Sequence, residues 1–258
     1  MTVSDRTRST LRATATILVA LALYEAVART GYFPPALMPS LIKVWSALWS
    51  SLADGTMEWH AASTLYRVLV GLAMAVGVGL PLGILMARFK PIEHFFMPLV
   101  SIMAPIPGLA YAPLFLLWFG LGNKSAVLLV AFVSSFAVIF NTWTGVKAVK
   151  EIWVRSALAM GANDRRLFIK VIVPGALPYI LTGLRLGLAQ AWRILVGIEM
   201  LAAVPWGLGW MIFGAREFLN TDVMLAGVVV IGVIGLALEK LVFQRIEQYT
   251  VMRWGMMT

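Results

Sequence analysis

The sequence predicts an all-α polytopic membrane protein with about six transmembrane helices. Three observations carry this. The 258 residues are 60% hydrophobic and only 13% charged, whereas a soluble domain is nearer half apolar and a quarter charged. The apolar residues gather into runs close to the ~20 residues that a helical crossing requires. The lysines and arginines collect in alternate connections between those runs, as they do in a polytopic chain.

The first span runs from about Ala13 to Ala28, behind Arg6, Arg8 and Arg12. A basic start followed by an apolar run also has the layout of a secretory leader. No small-residue cleavage site follows it, so the expectation is a retained span. Between Phe33 and Ala61, Leu41, Val44, Leu48 and Leu52 recur at helical spacing. They predict an amphipathic helix lying on the membrane surface. The second span, Val68 to Ala87, is uncharged.

The third span lies between Phe95 and Gly120 and contains Pro98, Pro105, Pro107 and Pro113. Proline lacks the amide hydrogen that continues a helix, so Pro105-Ile106-Pro107-Gly108 predicts a break. Carbonyls freed there must meet protein or water. The break either lines a substrate cavity or is a structural kink. The fourth span, Ser125 to Val146, is uncharged. The fifth extends from near Pro178 to near Ala203, with Gly183 and Gly187 spaced for close helix approach. A second short interfacial segment is expected at Trp206 to Leu219, and the sixth span covers about Val223 to Phe243.

With both termini inside, the cytoplasmic side holds Arg6, Arg8, Arg12, Arg88, Lys90, Lys147, Lys150, Arg155, Arg165, Arg166, Lys170, Lys240, Arg245 and Arg253. The outer side holds only Arg29, Lys43, Lys124 and Arg216. This asymmetry predicts an N-in, C-in orientation and accounts for the net charge of +9 without invoking nucleic acid. The simplest organisation is one membrane domain over 1–258, with a cytoplasmic tail at 1–12 and a cytoplasmic loop at 147–177.

Several classes are excluded or disfavoured. There is no cysteine, hence no disulfide scaffold or thiolate metal site. His60 and His94 are the only histidines, and neither sits in H-E-x-x-H. No G-x-S-x-G and no G-x-x-x-x-G-K-[ST] occurs, so neither an intramembrane hydrolase nor a phosphate-cradling loop is expected. Without a detectable inverted repeat, an ion-coupled secondary carrier fits poorly.

Charged residues inside spans are costly and point to function. Arg193 and Glu199 both fall in the fifth span. Six residues apart, they sit about 120° apart around the helix axis, so a pair within that helix is not expected. Each either lines a translocation path or makes a bond between helices. Arg67 lies at the edge of the second span, in the path or at the interface. Arg185, near the start of the fifth span, has a side chain long enough to snorkel.

The 147–177 loop is the most informative interval. Ile152, Trp153, Ala157 and Met160 can share one face of a short helix. Gly161 suits the left-handed cap that ends it, and Asn163 with Asp164 suits the start of a second helix, which Pro174 then stops or kinks. Exposed Trp153 and Met160 call for cover, either a partner surface or lipid.

This loop resembles the E-A-A-x3-G-x9-I-x-L-P pattern of ATP-binding-cassette (ABC) importer permeases. Gly161 takes the glycine, Ala157 the second alanine, and Val171, Val173 and Pro174 the later cluster. Arg155 and Ser156 stand where the pattern has its acidic residue and first alanine. Leu37-Met38-Pro39-Ser40, Leu65 to Gly71, Pro105-Ile106-Pro107, Leu117 to Gly120, Ala176 to Arg185 and Trp192 to Glu199 are similar to permeases of the nitrate/sulfonate/taurine/bicarbonate group.

The resemblance implies a type I importer permease fold with a cytoplasmic coupling helix, in the bacterial inner membrane. It implies a second permease copy in a homodimer, two ATPase subunits and an extracytoplasmic substrate-binding protein as partners, beside membrane lipid and no nucleic acid. ATP and Mg would sit on the ATPase, with no cofactor on this chain and no enzymatic activity of its own. The coupling residues it implies are Trp153, Arg155, Ser156, Ala157, Met160, Gly161, Ala162, Val173 and Pro174. The path candidates are Arg67, Pro105, Pro107, Arg193 and Glu199. The substrate it implies is a small oxyanion, although uncharged or cationic vitamin precursors also occur in the wider group.

Overall fold

The structure is a computed structural model describing residues 3–202 and 204–243. Residues 1 and 2, Ala203 at the expected end of the fifth span, and Arg245 and Arg253 of the orientation argument lie outside the described residues. Every regular element among the described residues is helical. In order these are α1 Val3–Arg29, α2 Leu41–Ala53, α3 Thr56–Arg88, α4 Lys90–Met103, α5 Ala112–Phe119, α6 Asn123–Lys147, α7 Glu151–Ala159, α8 Asp164–Leu167, α9 Val173–Leu201, α10 Leu208–Glu217 and α11 Thr221–Ala237. A 3-10 turn at Gly108–Tyr111 precedes α5, and wider π turns follow α8 and α11.

Five helices are long and apolar enough to cross a membrane, with a sixth if the bent pair Lys90–Met103 and Gly108–Phe119 is one span. The expected proline break is present, and the two helices are bent there by 99°. The expected 1–12 tail is helical from Val3, and the part of α1 apolar enough to cross a membrane is Leu11–Arg29. α3 begins eleven residues before Arg67, so that arginine stands within a continuous helix.

The chain divides into two compact units, Met1–Glu58 with Met211–Val230, and Trp59–Trp210 with Ile231–Thr258. In the first, Glu25 accepts from Leu41 N at 2.7 Å and from Arg29 Nε at 2.7 Å, while Tyr24 donates its hydroxyl to Pro39 O at 2.8 Å. The end of α1 is thus tied to the start of α2. Val44 and Ala47 of α2 are buried, whereas Trp45 and Trp49 stay exposed. Tryptophans at such positions suit a membrane–water interface.

The second unit is built around α6. Between Lys124 and Lys147 its sequence is uncharged, which permits burial on all sides, and 61% of its apolar window is buried. Glycines bring its neighbours in. A Cβ on Gly79 of α3 would stand 2.9 Å from Val138 Cβ, and one on Gly183 of α9 would stand 2.8 Å from Asn141 Cβ. The close approach expected of Gly183 and Gly187 is therefore made to α6. Val68, Phe115, Leu129, Val130, Leu188 and Leu195 fill the core between these helices.

Candidate functional site

Two assemblies of the second unit carry the candidate residues. The first is the 147–177 loop. α7 ends in a Schellman motif: Gly161 N donates to Leu158 O at 2.9 Å and Ala162 N to Ala157 O at 3.0 Å. This geometry needs the left-handed φ of +78° that Gly161 adopts, where a side chain is strained. Asn163 then caps α8, its Oδ1 accepting from Arg166 N at 2.9 Å.

Of the two alternatives for Pro174, a stop or a kink, the stop is not made: the helix runs on past it. The turn before it widens, with Val173 N donating to Phe168 O, and α9 continues to Leu201. A wide turn ahead of a proline accommodates its missing donor and its ring.

The expected shared face of α7 is split. Ala157 is buried, Ile152 and Met160 are exposed, and Trp153 is half-exposed. Met160 leaves the helical period because α7 ends at Ala159. The Trp153 ring passes close to Gly175, where a Cβ would stand 3.7 Å from Cζ3. Arg155 donates to Glu151 Oε1 at 2.6 Å, both side chains being exposed. An acidic group therefore stands one turn before the position that Arg155 occupies. Ser156 O accepts from Met160 N at 3.1 Å, and Val173 and Pro174 are partly buried at the start of α9.

The second assembly is a closed polar cluster. Arg67 Nη1 donates to Glu199 Oε1 at 2.5 Å, with side chains 3% and 0% exposed. Thr64 Oγ1 donates to the same carboxylate at 3.0 Å, and Gly209 N donates to its Oε2 at 3.0 Å. Arg67 Nε donates to Asn123 Oδ1 at 2.7 Å, and Leu208 N to Thr64 Oγ1 at 2.9 Å. His60 Nδ1 meets the Gly207 backbone at 2.8–2.9 Å. The pair that the spacing of Arg193 and Glu199 disfavours is thus made by Glu199 with another helix. Gly207 and Gly209 approach α9 this closely because they have no side chain: a Cβ on Gly207 would stand 2.5 Å from Glu199 Cδ.

Arg193 lies elsewhere. It is exposed on α9, and its Nε donates to Ala189 O at 3.0 Å. Pro105 and Pro107 are exposed in the break. The break packs beside Arg193, with Gly108 against Ile194 and Leu109 3.0 Å from where a Cβ on Gly197 would stand. Arg185 does not simply snorkel; it pairs with Glu239. An apolar cavity of about 510 Å³ lined by Met74, Val78, Met103, Phe115, Trp118 and Phe132, among others, has no charged lining residue.

Residues 79–249 match the family of binding-protein-dependent transport system inner membrane components. The chain is 38% identical over 229 residues to the taurine transport system permease protein TauC of Escherichia coli (strain K12), covering 87% of this chain and 83% of that protein. It is 30% identical over 236 residues to the putative aliphatic sulfonates transport permease protein SsuC of Bacillus subtilis (strain 168), covering 92% and 84%. It is 28% identical over 190 residues to the bicarbonate transport system permease protein CmpB of Synechococcus elongatus, covering 73% and 68%. Its fold is similar to that of a chain in an inward-facing MetNI methionine ABC transporter, with a TM-score of 0.65 and 19% identity over 77% of this chain and 97% of that one.

Proposed function

The chain belongs to the family of binding-protein-dependent transport system inner membrane components, and we propose that it forms, with a second copy of itself, the translocation path of an ATP-driven importer for a small oxyanion. The permeases it resembles are named for taurine, aliphatic sulfonates and bicarbonate, so a sulfonate or carboxylate-like substrate is the reading they favour. Uptake would proceed by alternating access in the bacterial inner membrane, with both termini cytoplasmic. A binding protein would deliver the substrate from outside. Two ATPase subunits carrying ATP and Mg would drive the cycle.

The observation that carries the coupling part is the Gly161 turn with exposed Ile152 and Met160 and half-exposed Trp153 beside it. A rigidly capped helix with uncovered large apolar side chains fits a protein partner better than water. The ion-paired Glu151 and Arg155 would meet that partner at the polar rim, with Ser156, Ala157, Ala162, Val173 and Pro174 holding the shape. Because α8 continues into α9, a push on the loop would reach the span directly. The path would run along the Pro105–Pro107 break and the exposed face of α9.

Purification in mild detergent with the ATPase subunit co-expressed tests this. A stable complex is expected, and Met160→Asp should weaken it. A chain that purifies without any ATPase, wild type and variant alike, contradicts the reading.

A further inference from the structure

We propose that the Arg193 guanidinium is the group that meets the anionic oxygens of the substrate in the path, one from each permease copy. This deepens the importer reading and rests on it. Among the described residues, three arginines lie well inside the candidate spans: Arg67, Arg185 and Arg193. Arg67 is neutralised by Glu199 and sealed from solvent. Arg185 is paired with Glu239. Arg193 has no carboxylate partner among the described residues; its hydrogen bond is to the Ala189 carbonyl one turn earlier. A carbonyl dipole does not balance a full charge.

An uncompensated guanidinium facing hydrocarbon is costly, so its face of α9 must meet water or protein. The rest of that face agrees. Tyr179, Thr182, Leu186, Ala189 and Arg193 recur every three or four residues and are all exposed. Gln190, beside Arg193, keeps a buried amide oxygen without a partner among the described residues.

A second feature of this face does not depend on charge. Ala104 to Pro107 are exposed and non-helical, which is tolerated at membrane depth only against protein or a water-filled cavity. The 3-10 turn that directly follows the break packs on the helix that carries Arg193, Gly108 against Ile194 and Leu109 against Gly197. Two features that lipid forbids thus belong to segments packed on one another. The planar fork of arginine matches the paired oxygens of a sulfonate or carboxylate. Being exposed, the contact is weak enough to release what it binds.

The test is ATP-dependent uptake by proteoliposomes holding the permease, its ATPase subunits and its binding protein. The probes are taurine, ethanesulfonate, nitrate and bicarbonate. Arg193→Gln should lower uptake of the transported oxyanion by at least about tenfold, while ATPase stimulation by the loaded binding protein persists. Arg193→Lys should recover part of the loss. Wild-type uptake with an equally active Arg193→Gln overturns the inference and leaves the importer reading standing. Uptake and stimulated ATPase falling together, unrescued by lysine, assigns Arg193 a structural role and also overturns it. A wild-type complex that imports none of the four probes overturns the oxyanion reading and this inference with it.

Discussion

The guanidinium of Arg67 meets the carboxylate of Glu199 at 2.5 Å across 132 residues of sequence, with both side chains sealed from solvent. The bond ties α3 to α9, and through Thr64, Asn123 and Gly209 it reaches α6 and α10. Each end of the pair would be costly alone. Together, with Asn123 on the guanidinium and Thr64 and Gly209 on the carboxylate, they are tolerated inside an apolar unit.

Arg67→Met alone should destabilise the permease by about 3–5 kcal/mol, since it strands a buried carboxylate. Arg67→Met with Glu199→Leu should recover most of that loss. Thermal unfolding in detergent checks both. A double variant as unstable as the single one would show that the pair itself, and not the stranded charge, sets stability here.

Gly209→Ala should cost about 1–3 kcal/mol by overpacking. The methyl would be driven into the Val196 carbonyl, which is helix backbone and cannot turn aside. Gly207→Ala would strike the Glu199 carboxylate, a side chain fixed by Thr64, Arg67 and Gly209. Unfolding midpoints should therefore fall for both, whereas Gly214→Ala, with nothing within 4 Å, should leave the midpoint nearly unchanged.

Gly161→Val should separate ATP hydrolysis from uptake. A β-branched residue at a φ of +78° costs about 1–2 kcal/mol, enough to distort the Schellman turn while the spans stay folded. Gly161→Asn should be milder, because asparagine tolerates that region. The number of substrate molecules imported per ATP hydrolysed reads the difference. Equal ratios for wild type and Gly161→Val would remove the lever from the account.

Much of the loop was legible because its determinants are local. Gly161 and Asn163 set a turn and a cap within a few residues of themselves, and the prolines at 105 and 107 break their own helix. Long-range pairing was not legible. Nothing in the spacing of Arg67 and Glu199 announces a bond, although two opposite charges in apolar runs each require a partner. The glycines at 71, 79 and 83 line the side of α3 that receives α6, and they carry no pattern distinct from ordinary membrane glycines. Pro174 marks a local distortion and not an end of the helix: the wide turn Phe168–Ile172 lies ahead of it, in residues whose sequence has no signal of its own.

The most direct test of the account is solute uptake by reconstituted proteoliposomes with and without the ATPase subunits. The account predicts uptake only when ATPase, ATP and loaded binding protein are all present, with no response to an imposed ion gradient. Uptake by this chain alone, driven by such a gradient, would contradict it.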